Sequence, residues 1–586
     1  MRVLGFYDDH NASAALIEDG QILSAVEEER LSRIKLHDGN TEDGPAERCI
    51  AEVMKATRSD RTNIDRIAVA IAPPNELLKY VLGDLFAQKN MKWILASLVT
   101  RHPGWDPYFL LYPYFYNKNR IKRVKKLLRK FDLHKIPLDL VDHHTAHAAS
   151  AYYTGGDSEA KVFTLDGQGD GDSGSIFIGS QGKLKLAKRV PSYHSVGLFY
   201  NFITWYLGFK PNRHEGKITG LAAYGDPKNT EKFYNDLFSI NKTDFSYDLA
   251  KQVFQHAYPH RTNYPRLKDV IADRVNGYSK EDIAAGIQSI SENMVTSFVS
   301  AALREYGNHS ENNVKAAGGV FANVRINQKV AELPNVTSLF IFPGMGDCGL
   351  SVGAALYAHY KDLKFGVDYR AIPRLEHVYL GPGYNDQEIE AELKKSHLRY
   401  EYYEDIESKI ADLLAQNAVV ARFNGRMEYG PRALGNRSIM YHTTDPTVND
   451  WLNKRLNRTE FMPFAPVSLI EDRDIYYRNM GPNFFASKFM TMTFDCTEEM
   501  KKHCPAVVHV DGTARPQLVD KKDNPSYYRI IEEYRKRTGL RALVNTSFNM
   551  HEEPIVCSPY DAIRAFKLGH LGYLALSKFL VYTPES

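Results

Sequence analysis

The sequence predicts an α/β protein in two parts, the first of them internally duplicated. Three observations lead there. The segment starting at Val3, VLGFYDDHNASAALIEDGQILSAVEEER, and the segment starting at Val162, VFTLDGQGDGDSGSIFIGSQGKLKLAKR, share one pattern. Each runs from an apolar strand through a loop rich in Asp, Asn, Ser and Gly to a second strand, a Gly turn and a third strand. Asp19-Gly20 and Gln181-Gly182 are the turns, and X-Gly pairs of this kind suit two-residue hairpins. The third observation is a boundary near 365–385, where KFGVDYRAIPRLEHVYLGPGYNDQEIEAEL passes through Pro and Gly into a new helix with Asn385 as its N-cap. Beyond it, strand-like AVVARFNG and RALVNTSFN alternate with helical stretches, which reads as a second α/β domain. The expected division is 1–370 and 371–586.

Size and composition narrow the function classes. The chain has 586 residues, 43% hydrophobic and 25% charged, with a formal net charge of +3. That charge is too small to imply nucleic acid. No apolar run is long enough for a transmembrane helix, and the N-terminus reads as a first strand rather than a signal peptide. The five cysteines, Cys49, Cys348, Cys496, Cys504 and Cys557, are scattered and lack CxxC spacing. A disulfide framework or thiolate zinc site is not expected, and a reducing cytoplasm fits.

An aromatic and basic stretch separates the two hairpin segments. Ile121, Val124, Leu128 and Phe131 fall at helical spacing among lysines and arginines, which predicts an amphipathic helix with a solvated basic face. Trp105, Tyr108, Phe109, Tyr112, Tyr114, Phe115 and Tyr116 precede or begin it. They are read as core or, alternatively, as a surface for an acceptor or a membrane.

VDHHTAHAASAYY places His143 and His147 four residues apart, on one face if the segment is helical, with Asp142 as cap. Asp166 in LDGQGDGD and Asp347 in FPGMGDCG each end an apolar strand in a Gly-rich loop and are available as acidic partners. Two imidazoles with carboxylates suit iron, manganese or zinc without choosing among them.

At this point the residues match a family. HHTAHAAS, LDGQGDG, HEGKITGLAAYG, GGVFANVRIN and FPGMGDCG, in this order, resemble the carbamoyltransferases of antibiotic and nodulation-factor biosynthesis, tobramycin and cephem O-carbamoyltransferases among them. The resemblance implies an N-terminal actin-like (duplicated RNase H-like) domain of the Kae1 type over 1–370. It implies a YrdC-like α/β domain over 371–586. It also implies iron(II) as the metal, held by His143, His147, Asp166 and Asp347.

The same resemblance sets the expected chemistry. Carbamoyl phosphate and ATP would yield carbamoyl adenylate, and a hydroxyl of a small-molecule acceptor would take the carbamoyl group. The HNAS loop would face that group, with His10 as base and Asp8 orienting it or sharing the role. An alcohol needs such a base at neutral pH, and imidazole titrates in the right range. Lys217, Gly318, Gly319 and Asn323 would line an adenylate pocket in the first domain. In the second, ARFNGRMEYGPRALGNRS supplies Arg426, Arg432 and Arg437, and later blocks add Arg458, Arg515, Asn545, Ser547 and Asn549. Arginine forks suit phosphates. One departure is that the family pattern has a lysine where this chain has Leu456. A homodimer is allowed by the resemblance. The competing readings are a tRNA threonylcarbamoyladenosine-type synthase and a non-catalytic actin-like nucleotide-binding protein. The low net charge weighs against the first of these and the retained His10 and metal quartet against the second.

Overall fold

Two sheets with the same strand plan frame the first part of the chain. The computed structural model describes residues 1–75, 108–240, 247–249, 264–307, 311–457 and 462–583. Its first sheet uses β1 (Arg2–Tyr7), β2 (Ser13–Glu18), β3 (Gln21–Glu27), β4 (Arg66–Ala70) and β5 (Leu138–Val141) in the order β3-β2-β1-β4-β5. Helix α1 (Tyr108–Lys130) precedes β5, and α2 (His143–Tyr152) follows it. The second sheet uses β6 (Ala160–Gly169), β7 (Asp172–Ser180), β8 (Lys183–Pro191), β9 (Asn313–Ala317) and β10 (Ser338–Ile341), and its order, β8-β7-β6-β9-β10, repeats the first. In both, the first strand pairs in parallel with the fourth and the fourth with the fifth. Both predicted turns are present: Asp19, Gly20, Gln181 and Gly182 all have positive φ, the geometry that lets a two-residue turn follow strand twist.

After the fifth strand of the second sheet comes α3 (Leu350–Tyr360), as α2 follows that of the first. The two helices pack together because their sequences, HAASA and SVGAA, are small. Gly353 makes the closest approach, since a Cβ there would lie 1.8 Å from the carbonyl oxygen of Ala146. Helices over Val196–Tyr206, Glu215–Leu221, Pro227–Leu237, Tyr264–Val275 and Lys280–Tyr306 add an aromatic-rich core built on Phe199, Phe202, Phe233 and Tyr264.

The chain divides into two units. One comprises residues 1–8, 15–21 and 59–374; the other comprises 9–14, 22–58 and 375–586. The second unit is therefore discontinuous in sequence. Its N-terminal pieces are held by specific bonds. The buried Arg30 donates to the Gly430 carbonyl, Glu27 accepts the Gly430 N–H, and Arg33 donates to the carbonyls of Pro554 and Ile555.

An eight-stranded mixed sheet forms the body of this unit. Its strands are β11 (Tyr400–Tyr402), β12 (Val420–Phe423), β13 (Arg437–His442), β14 (Ala465–Leu469), β15 (Gln517–Val519), β16 (Ala542–Ser547), β17 (Tyr573–Leu576) and β18 (Phe579–Tyr582), in the order β11-β18-β17-β12-β13-β16-β14-β15. The strands expected from AVVARFNG and RALVNTSFN are β12 and β16. Asn385 caps the helix over Asp386–Ser396 with a full capping box through Glu388. Helices over Ile406–Ala415 and Pro525–Thr538 cover one face through Ile410, Leu414, Ile530, Ile531 and Tyr534.

Candidate functional site

The four residues read as metal ligands come together in the first unit. Asp142 caps α2 by accepting the Thr145 N–H, which sets His143 and His147 on one face. Asp166 lies in β6, and Asp347 precedes α3. His147 Nε2 lies 3.2 Å from Asp166 Oδ2 and 3.6 Å from Asp347 Oδ1. His143 Nε2 lies 3.9 and 3.7 Å from the same two atoms. One donor atom from each residue falls within 4.8 Å of all the others. Ligands of one ion bound at about 2.0–2.2 Å stand roughly 3–3.5 Å apart. Both Nε2 atoms are buried and make no hydrogen bond, which fits lone pairs reserved for a cation.

Neighbours aim these donors. Gly319 N–H donates to Asp166 Oδ2 at 3.1 Å, and Gly318, at φ 107°, lets that turn pass the Leu165 carbonyl. The glycines expected to cradle phosphate thus position a candidate ligand. Asp170 Oδ2 accepts the His143 N–H at 3.0 Å, and Tyr7 Oη donates to Asp347 Oδ2 at 3.5 Å. His144 points elsewhere, with Nδ1 2.9 Å from Thr164 Oγ1.

Charge sets the protonation of the histidines. Burial disfavours imidazolium at His143, but the facing carboxylates of Asp166 and Asp347 overcome it and raise its pKa to about 9. Burial and the neighbouring His143 push His144 down to about 3. A metal must displace the His143 proton wherever the pH is below about 9. Apparent metal affinity is therefore expected to rise about tenfold per pH unit up to that value and then level. A titration of the metal-stripped protein with Co(II) at several pH values checks this; an affinity flat from pH 6 to 9 contradicts it.

Asp8 and His10 are placed as follows. Asp8 is buried, and its Oδ2 accepts from Arg123 Nε at 2.8 Å. That carboxylate is engaged by a cation. His10, half-buried, follows in a loop of the second unit that pairs with residues 37–39: His10 bridges to Asp38, and Ala12 N–H donates to the His37 carbonyl. Asn11 turns that loop at φ 61°.

Of the expected adenylate-pocket residues, Asn323 is committed locally. It caps the helix over Val324–Ala331 and donates to Gln288 Oε1 at 2.8 Å and Thr219 Oγ1 at 3.2 Å. Lys217 is buried in the helix over Glu215–Leu221.

Two arginines of the Arg-rich loop have backbone partners within the second unit. Arg437 is fully buried and donates to the carbonyls of Asn424, Asn436, Pro382 and Gly425, with its guanidinium over the Phe423 ring. Burial lowers its pKa to about 10. Arg426 donates to the carbonyls of Gly381, Leu23 and Leu380. A Gly-rich loop turns carbonyls inward, and these arginines donate to them. The sequence reading also missed Glu428. This buried carboxylate accepts N–H groups from Leu434, Asn436 and Arg437, and so folds the GPRALGNRS loop around itself. Arg432 and Arg515 are half-buried. Asn545 donates to Gln517 Oε1 at 2.6 Å and to the Ala433 carbonyl at 3.2 Å, while its buried Oδ1 has no hydrogen-bond partner. Ser547 ends β16, and Asn549 donates to the carbonyls of Met550 and Glu553. Arg458 and Trp105 lie outside the described residues.

Comparison with known proteins now bears on this arrangement. The family model described as "Carbamoyltransferase N-terminus" matches residues 2–356, and "Carbamoyltransferase C-terminus" matches 411–583. The chain belongs to the carbamoyltransferase family. This carbamoyltransferase is 32% identical to nodulation protein NolNO of Sinorhizobium fredii over 98% of this chain and 79% of that one. It is 27% identical to the 3'-hydroxymethylcephem-O-carbamoyltransferase of Streptomyces clavuligerus, covering 67% of this chain and 71% of the relative. Among solved structures, T. kodakarensis HypF aligns over 61% of this chain and 48% of its own, at 15% identity and a TM-score of 0.31. Among the described residues, no helix of the carbamoyltransferase is long and apolar enough to cross a membrane.

Proposed function

We propose that this carbamoyltransferase is an O-carbamoyltransferase working in two half-reactions. In the first, carbamoyl phosphate loses phosphate to water, and the resulting carbamate oxygen attacks the α-phosphorus of ATP. Carbamoyl adenylate forms and pyrophosphate leaves. In the second, a hydroxyl oxygen of a small molecule attacks the carbamoyl carbon, the bond to AMP breaks, and the hydroxyl proton goes to His10. The observation that carries the reading is the convergence of His143, His147, Asp166 and Asp347 on one point. A divalent ion there, iron(II) in our reading, would neutralise phosphate charge and hold the adenylate. The relative named as a cephem O-carbamoyltransferase supports a hydroxyl acceptor.

The repeated strand order of the first unit supports an actin-like domain of the Kae1 type, and the mixed sheet of the second is assigned to adenylate formation in a YrdC-like domain. In that sheet the unpartnered Oδ1 of Asn545 suits the NH2 group of a carbamoyl moiety, which can only donate. Arg432 and Arg515 are the cations assigned to phosphate. The test is pyrophosphate release from ATP. It should require carbamoyl phosphate and proceed without acceptor. Release that ignores carbamoyl phosphate, or none under any condition, would overturn the proposal.

A further inference from the structure

Helix α1 was expected to show a solvated basic face, and Lys122, Lys125, Lys126, Arg129 and Lys130 are indeed exposed. Val124, Leu127 and Leu128 form its buried stripe. Asn117, Arg120 and Arg123 depart from that plan. They are spaced three apart, share a face, and turn toward the metal-ligating cluster.

Asn117 is 1% exposed. Its amide donates to Asp170 Oδ1 at 2.7 Å and to the Ala72 carbonyl at 3.2 Å. The other oxygen of Asp170 takes the N–H groups of His143 and Ala72 at 3.0 and 2.9 Å. Arg120 lies over the Tyr7 ring, 5.0 Å from its centre, and donates to the Ala70 carbonyl at 3.2 Å. Tyr7 in turn reaches Asp347 and meets the His143 ring edge-on. Two arms therefore leave one helix face: Asn117–Asp170 reaches the backbone N–H of His143, and Arg120–Tyr7 reaches the carboxylate of Asp347. A third arm, Arg123, holds Asp8.

We propose that α1 is a positioning element for the metal centre, with Asn117 and Arg120 its positioning residues, so that seating of the helix and binding of the metal are thermodynamically linked. The inference rests on reading the His/Asp cluster as a metal site. Outer-sphere contacts to ligating side chains, as from Tyr7 to Asp347, are commonly worth about 10–100-fold in metal affinity, and Asp170 acts through the backbone that carries His143. Linkage is reciprocal: if the seated helix favours metal, metal must favour the seated helix. Metal binding stabilises every part of the folded chain to some degree, so specific linkage to this helix predicts protection concentrated in it.

The experiment uses the full chain, stripped of metal and titrated with Co(II). Asn117→Ala should bind Co(II) about tenfold or more weakly, and Lys126→Ala, on the exposed face, should bind as wild type does. In wild type, Co(II) should slow amide hydrogen exchange in peptides covering residues 114–130. This second measurement needs no variant, so a misfolded Asn117→Ala does not spare the proposal. Unchanged exchange on adding Co(II), or equal affinity of wild type and Asn117→Ala, overturns it. A His143→Ala control that binds Co(II) like wild type overturns the site itself and the proposal with it. If the carbamoyl chemistry failed while these linkages held, only the reaction assignment would fall.

Discussion

Replacing Arg432 with Ala is expected to lower carbamoyl phosphate-dependent ATP–pyrophosphate exchange by about 10²–10³, while His10→Ala leaves that exchange unchanged. A single preorganised charge stabilising a reacting phosphate is worth roughly that factor. His10→Ala should instead slow transfer to acceptor by about 10²–10⁴, the usual weight of a general base. The contrast rests on the separate roles proposed for the two residues, which belong to different loops of the second unit. Arg432 belongs to the loop that Glu428 folds by taking three backbone N–H groups, and His10 belongs to the turn held by residues 37–39. Arg437→Ala serves as the contrast variant. With its guanidinium bonded to four carbonyls, its loss should lower exchange and thermal stability together. If His10→Ala stops exchange as severely as Arg432→Ala, the separation into two half-reactions is wrong.

Different parts of this arrangement were legible in the sequence to different degrees, and the reasons are local. The hairpins could be read because a two-residue turn demands positive φ, and Asp-Gly and Gln-Gly supply it cheaply. The helix at His143 could be read because Asp142 caps it and HxxxH puts two rings on one face. Asp166 and Asp347 were candidates from their place at strand ends, but their meeting with the histidines depends on packing of α2 against α3, which no single segment encodes.

The backbone bonds of the Arg-rich loop were not legible for a related reason. A sequence displays cations but not the carbonyls that need donors. The carbonyl partners of Arg426 and Arg437 therefore could not be read in advance, and Glu428 passed as one charge among several. In α1 the spacing of Asn117, Arg120 and Arg123 was visible, yet a polar stripe is read as solvated until an acidic partner appears opposite it. Asp170 and Asp8 are those partners. The glycines after β9 also have a local role. Their freedom serves a close approach to Asp166 and Leu165.

Removing a ligand from the His/Asp cluster should have the largest effect on metal. His147→Ala and Asp166→Ala are each expected to weaken Co(II) binding by more than the ~10–100-fold that outer-sphere contacts contribute. His147 is the sharper case. It is completely buried, and its Nε2 faces both carboxylates at 3.2 and 3.6 Å. Without that imidazole, Asp166 and Asp347 are left opposite His143 alone, and an ion loses both a donor and its fixed geometry. His144→Ala makes the informative comparison because it is equally buried and lies one residue from His143 and three from His147. Its ring bonds Thr164 instead. Losing it should lower thermal stability through a cavity and a lost hydrogen bond, at a cost of a few kcal/mol, while Co(II) affinity stays within about threefold of wild type. Titration with Co(II) and thermal melts of both variants measure the two effects separately. Equal loss of metal from His144→Ala and His147→Ala would remove the reason for assigning ligands by helix face, and the four-residue centre would have to be redrawn.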